Sequence, residues 1–200
     1  MAKQGKGSAF EREICKQLSL WWTADDENGP RDDIFWRTAG SGARATTRGR
    51  RNIKTAGAAG DLMATDVSGK PFEKYFLCEL KCGYSKDIDP LAIVDSAKGT
   101  SLLLQWWRKA EKERVFTGRH LTMLIFKRNF KSTCVMVNLH GIMDLLNITR
   151  RDFLLTYNGM VIQNTWLIAP LNVFLQSPAS TLKTRIIKQM VDAAKEDVDD

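Results

Sequence analysis

The chain has 200 residues, 44% of them hydrophobic and 26% charged, a globular balance that excludes a disordered polyelectrolyte and supplies a core without disulfide or metal staples. Thirty Lys and Arg against 23 Asp and Glu give +7, and the acidic end Glu196, Asp197, Asp199 and Asp200 leaves the body more basic than the total, which favours polyanions, nucleic acid first. Cys15, Cys78, Cys82 and Cys134 form no CxxC pair, no run of eighteen apolar residues occurs, and the N-terminus has no apolar signal region, so we expect free thiols, no zinc site, no membrane span and a cytoplasmic chain.

Ser8 is placed to cap a helix in which Phe10, Ile14, Leu18 and Trp22 recur every four residues, with Glu11 in its first turn. Residues 23–31, rich in Asp, Asn, Gly and Pro, read as a loop, followed by an extended piece from Ile34 to Arg37. From Thr38 to Gly60 the chain is nearly free of large apolar residues and carries Arg44, Arg48, Arg50, Arg51 and Lys54. Such a segment cannot pack a core, and its composition suits an arm that orders against a phosphate backbone.

Asp61 to Val67 and Lys74 to Lys81 read as two strands of a hairpin, joined by the turn Ser68-Gly69-Lys70-Pro71. In the second strand Tyr75, Leu77, Glu79 and Lys81 share one face, while Phe76, Cys78 and Leu80 take the other. A polar loop with Asp87, Asp89 and Pro90 precedes a helix from Ser101 to Phe116, strands at Leu121–Phe126 and Cys134–Leu139, and a short helix near Ile142–Leu146. A strand Val161–Ile168 and an amphipathic helix with Leu182, Ile186, Met190 and Val191 complete the chain. The expectation is an α/β chain with a central mixed sheet flanked by helices. It forms a single domain over residues 1–200, with its core at about 5–140, the basic arm at 38–60, and a C-terminal extension at 141–200 without an assigned role.

Trp21-Trp22 and Trp106-Trp107 read as core rather than as wedges for unpaired bases. Glu13, Asp66, Glu73, Asp87 and Asp89 read as solvated charges, and His120 and His140 lie in no ligand spacing.

Phosphodiester hydrolysis needs a divalent cation against the charge that builds on the phosphoryl oxygens, a deprotonated water, and in-line geometry. Magnesium or manganese prefers oxygen ligands and keeps several waters, so two carboxylates and one carbonyl suffice. Antiparallel pairing brings Asp61 beside Glu79, which with the Leu80 carbonyl supplies such a seat. Lys81 carries a compact positive charge on the same face as Glu79.

Four segments in order carry a resemblance: Gly7-Ser8-Ala9-Phe10-Glu11-Arg12-Glu13, then Arg37-Thr38-Ala39-Gly40-Ser41-Gly42, then Gly60-Asp61, then Cys78-Glu79-Leu80-Lys81-Cys82. They resemble the archaeal-type Holliday junction resolvase branch of the PD-(D/E)xK nuclease superfamily. The resemblance implies a restriction-endonuclease-like core and a DNA endonuclease using Mg2+ or Mn2+. Glu11, Asp61, Glu79 and Lys81 would be catalytic, Glu11 completing the acidic cluster either as a direct ligand of the cation or through a metal-bound water, with Arg37 and Ser41 on the DNA backbone and homodimeric cutting of branched DNA. Gln105 is a looser match to a glutamine that some relatives carry in the following helix. The chain departs from the pattern in having Gly60 rather than Pro before Asp61, and in the basic insertion ahead of it. Two other functions fit the same residues: an end-processing or restriction-like nuclease on linear DNA, and a noncatalytic DNA-binding protein that keeps the fold.

Overall fold

The computed structural model describes residues 6–38, 59–83, 88–95, 101–157 and 159–196. Helix α1 (Lys6–Trp22) buries Phe10, Ile14, Leu18 and Trp22 as their spacing predicts. It begins ahead of Ser8, so that serine lies inside the first turn rather than capping it, and Glu11 falls in the second turn. Ser19 Oγ donates to Cys15 O and accepts from the backbone N–H of Phe35, which ties β1 (Phe35–Arg37) to the helix. The loop expected at 23–31 is present as a series of turns. Both Trp21 and Trp22 are core residues.

The expected hairpin does not form. Strand β2 (Leu62–Ala64) pairs antiparallel with β1 as a separate two-stranded sheet. After it, Asp66 caps a 3-10 turn (Val67–Gly69) by accepting from Ser68 N–H. That turn leads into helix α2 (Lys70–Tyr75), with Pro71 in its first turn. Proline has a fixed φ and no N–H to lose there, which suits a helix start better than a hairpin loop. Tyr75 therefore belongs to a helix, and β3 starts at Phe76 and runs to Cys82. Glu73, expected to be solvated, is buried, with Lys70 Nζ at 2.7 Å and Arg119 NH2 at 3.8 Å.

Beyond β3 lie helix α3 (Ala92–Asp95), helix α4 (Leu102–Thr117), strands β4 (Leu121–Lys127) and β5 (Thr133–Asn138), and helix α5 (Leu139–Leu146). Gly118, in the left-handed conformation at φ 69°, closes α4. Helix α6 (Arg150–Tyr157) was not foreseen. The single strand expected at 161–168 is instead a hairpin of β6 (Met160–Ile162) and β7 (Trp166–Pro170). Gln163 and Asn164 both take positive φ at its turn, a conformation the apolar residues on either side concealed. Helix α7 (Leu171–Phe174) and the amphipathic helix α8 (Ala179–Glu196) follow. Along α8, Leu182 and Ile186 are buried and Val191 faces outward.

The five-stranded sheet runs β3-β4-β5-β7-β6, with β3 parallel to β4 and every other pair antiparallel. Alternate residues serve two cores, as the pleat requires. Cys78, Leu80, Met123, Ile125, Val135 and Val137 share one core with α1 and α5, and α8 packs on the helices α1, α2 and α5 at its outside. Leu124, Phe126, Met136 and Ile168 pack with Leu103, Leu104 and Trp107 of α4. The result is a mixed sheet between helices, as in restriction-endonuclease-like folds, and its edge strand β3 carries the residues of interest.

Candidate active site

An edge strand presents N–H and C=O groups that need partners, and Asp61 supplies two of them to β3. Its N–H donates to Cys78 O at 2.8 Å, and its Oδ2 accepts from Leu80 N–H at 2.8 Å. So close an approach depends on Gly60, at φ 68°, where a Cβ would stand 2.5 Å from Cys78 O. The Gly60 N–H donates to Glu113 Oε1 on α4 at 2.9 Å. Asp61 is thus fixed from the strand on one side and the helix on the other, although β2 and β3 make no hairpin.

Glu79 and Lys81 lie side by side on one face of β3, as period-two alternation dictates. Lys81 Nζ is 2.6 Å from Glu79 Oε1, 3.2 Å from Leu80 O and 3.3 Å from Asp61 Oδ2. The same Glu79 oxygen has a second ammonium, that of Lys109 on α4, at 3.7 Å. Glu11 approaches from α1 and pairs with Arg37 NH1 at 3.2 Å. Arg37, expected on DNA, is engaged with that acid here.

The electrostatics follow from burial and crowding. Glu79, with its side chain 4% exposed, has its pKa raised chiefly by burial and then by the Asp61 charge, against the lowering influence of Lys81 and Lys109. Glu11 is raised for the same two reasons, in the same order. Burial pulls Lys81 down, but Asp61 and Glu79 outweigh it and carry the ammonium above its ordinary value. Burial pushes the nearby Cys15 and Cys78 thiols up to about 12, which keeps them protonated and poor metal ligands. All four cysteines are free.

The three oxygens that the sequence marks as a cation seat, on Asp61, Glu79 and Leu80, converge on a single positive charge, the Lys81 ammonium. Their hard-oxygen chemistry and mutual closeness fit magnesium or manganese. No group of three or more His, Cys, Asp or Glu able to hold a metal occurs among the described residues, and the Glu11 carboxylate is paired with Arg37 rather than with Lys81. Of the predicted residues, the fold brings together Asp61, Glu79, Leu80 and Lys81, with Glu11 and Arg37 adjoining. Ser41, Arg44, Arg48, Arg50, Arg51 and Lys54 lie outside the described residues, as does Asp87. Gln105 is an exposed residue of α4, one helical turn before Lys109. Lys109 and Glu113 were missed. Their signal was the spacing 105, 109, 113, which aligns three polar residues along one face of a helix.

A family model described as "phage putative PDDEXK endonuclease" matches residues 2–174. The chain belongs to this family of PDDEXK endonucleases. The match takes in the basic arm and continues beyond Gly141 through β6, β7 and α7, ending before α8. Searches of curated proteins and of solved structures find no match to the chain. Membership in the PDDEXK family makes the chain a nuclease of the PD-(D/E)xK superfamily, and the junction-resolvase branch rests on the motif resemblance alone. No described helix is long and apolar enough to cross a membrane.

Proposed function

We propose that the chain is a metal-dependent DNA endonuclease whose cation is held by Asp61, Glu79 and the Leu80 carbonyl. The observation that carries this reading is the convergence of those three oxygens on one ammonium, with Lys81 Nζ 2.6–3.3 Å from each. When bound, Mg2+ or Mn2+ supplies positive charge to the phosphoryl oxygens and acidifies a water. Asp61 and Glu79 provide the negative charge that seats the cation, and the backbone of β3 fixes their separation. Lys81 offers N–H donors to the attacking water or the scissile phosphate. Glu11 accepts hydrogen bonds from water next to the cation. Arg37, Ser41, Arg44, Arg48, Arg50, Arg51 and Lys54 hold the DNA backbone, and Gln105 borders the substrate path on α4. The working place of such a chain is the cytoplasm.

Selectivity for branched DNA such as a four-way junction, cut by a homodimer, is supported by the motif order from Glu11 to Lys81. A nuclease acting on linear DNA shares every residue of this site. Cleavage of a four-way junction, a matched duplex and a single strand with Mg2+ tests the reading, comparing wild type with Glu79→Gln. Junction cutting that the substitution abolishes supports resolution, and cutting of linear DNA redirects the assignment to a general nuclease. DNA binding without cutting in any divalent metal would overturn the catalytic reading in favour of a noncatalytic binder.

A further inference from the structure

The turn between β4 and β5 reads Lys127-Arg128-Asn129-Phe130-Lys131-Ser132, with three cations and no acid. Because β4 is parallel to β3, this turn leaves the sheet at the same end as the candidate site. Lys81 is in register with Phe126, and Cys82 with Lys127. Two hydrogen bonds hold the turn against the end of β3: Gly83 N–H donates to Lys127 O at 3.1 Å, and Asn129 Nδ2 donates to Gly83 O at 3.4 Å. Phe130 is four residues past Phe126, so at strand rise its distance along the chain from the Lys81 register is at most about 13 Å.

Phe130 is 102% exposed, and its backbone takes φ 61°. An aromatic residue gains from burial and loses from a left-handed backbone, so this one forgoes the first and bears the second. Asn129, next to it, belongs to a type far better suited to that conformation. Among the described residues nothing repays the arrangement, since the ring is fully exposed. None of Lys127, Arg128 and Lys131 makes an ion pair among the described residues.

We propose that the β4–β5 turn is a base-stacking element for unpaired nucleotides next to the cleavage site: Phe130 supplies the ring, and Lys127, Arg128 and Lys131 hold the flanking phosphates. A presented aromatic stacks on any base, and an uncancelled cluster of cations tracks the backbone, so this pairing recognises single-stranded DNA without reading its sequence. It confers a preference for substrates with splayed or frayed bases, which a regular duplex does not offer. The inference rests on the nuclease reading for its substrate but not on the metal seat.

Fluorescence anisotropy in EDTA, where no cutting occurs, tests it with a labelled single strand and the matching duplex. Phe130→Ala should weaken single-strand binding by about 10- to 100-fold. Duplex binding and Tm should stay nearly unchanged, and Phe130→Trp should restore the single-strand affinity. Unchanged single-strand binding in Phe130→Ala would overturn the proposal. An equal loss on strand and duplex would too, because it marks a plain backbone contact. Wild-type protein that binds neither DNA sinks this inference together with the nuclease reading. Metal-dependent cutting that survives Glu79→Gln sinks only the assignment of the cation seat and leaves the stacking turn standing.

Discussion

Strand β3 has a buried carboxylate near each end, and the two are treated differently. Beside its N-terminal end, Glu73 stands between two cations, Lys70 and Arg119, and Arg119 also donates to Phe76 O at 3.1 Å. Toward the C-terminal end, Glu79 has Lys81 and Lys109 but also feels Asp61, which raises its pKa on top of burial. One cluster is a single acid matched by bases. The other presses acids together around a cation. A matched cluster serves stability, whereas carboxylates crowded against one another at a sheet edge store repulsion that an added divalent ion relieves.

The largest separation between the two ends should come from activity. Glu79→Gln should lower Mg2+-dependent cleavage more than about 100-fold while leaving DNA affinity in EDTA near wild type. Glu73→Gln should leave the cleavage rate per folded molecule within about twofold. Near-normal cutting by Glu79→Gln would erase the distinction. Stability should run the other way. Glu73→Ala strips Arg119 of its buried partner and should cost about 2–4 kcal/mol in urea denaturation. A cost under about 0.5 kcal/mol would show that Lys70 and Arg119 are adequately solvated without it.

Gly60→Ala should destabilise by about 2 kcal/mol, since it combines a left-handed backbone with a Cβ driven into Cys78 O. It should also cut activity, because Asp61 is the next residue. Glu113→Ala, which removes the acceptor for Gly60 N–H, should be a milder copy of the same defect at about 1–2 kcal/mol, read by the same denaturation. The smallest effect is one of pH. Glu79 has a folded-state pKa raised above its unfolded value, so its contribution to stability is fully present below the unfolded pKa and is lost as pH rises through the folded one. In metal-free buffer the Tm of Glu79→Gln should therefore gain on wild type as pH climbs from below the ordinary carboxylate value of 4.5 toward neutrality. A gap that moves the opposite way would mean that Glu79 ionises more easily in the fold than outside it.

Helical periodicity revealed α1, α4 and α8, because each buries one stripe, α1 and α4 against strands and α8 against the helices α1, α2 and α5, and alternation placed Glu79 beside Lys81. The partnership of Asp61 with β3 was anticipated for the wrong reason. Hairpin pairing was the expected cause, whereas a glycine turn and a carboxylate bridge the strand edge. Sequence spacing cannot show that, because side chain and main chain act together over a gap of nineteen residues. At residues 70–75 the sequence is ambiguous, because Phe72 and Tyr75 are apolar in either period and Pro71 opens a helix as readily as it marks a loop. Glu73 passed for a surface charge because its partner Arg119 lies far along the chain. Lys109 and Glu113 were hidden in an ordinary polar helix face until the fold turned that face toward β3.

The hydrogen bonds of Asp61 to β3 also bear on how an inactive control would behave in solution. That carboxylate occupies the Leu80 N–H at the outermost strand of the sheet. Asp61→Ala would leave an unpaired donor on a long apolar strand, the usual template for edge-to-edge association between chains. Loss of cutting in such a variant would be confounded with self-association at high concentration. Asp61→Asn keeps an oxygen acceptor for Leu80 N–H, and Glu79→Gln leaves the edge covered. Sedimentation of the three variants side by side would separate a chemical defect from a colloidal one.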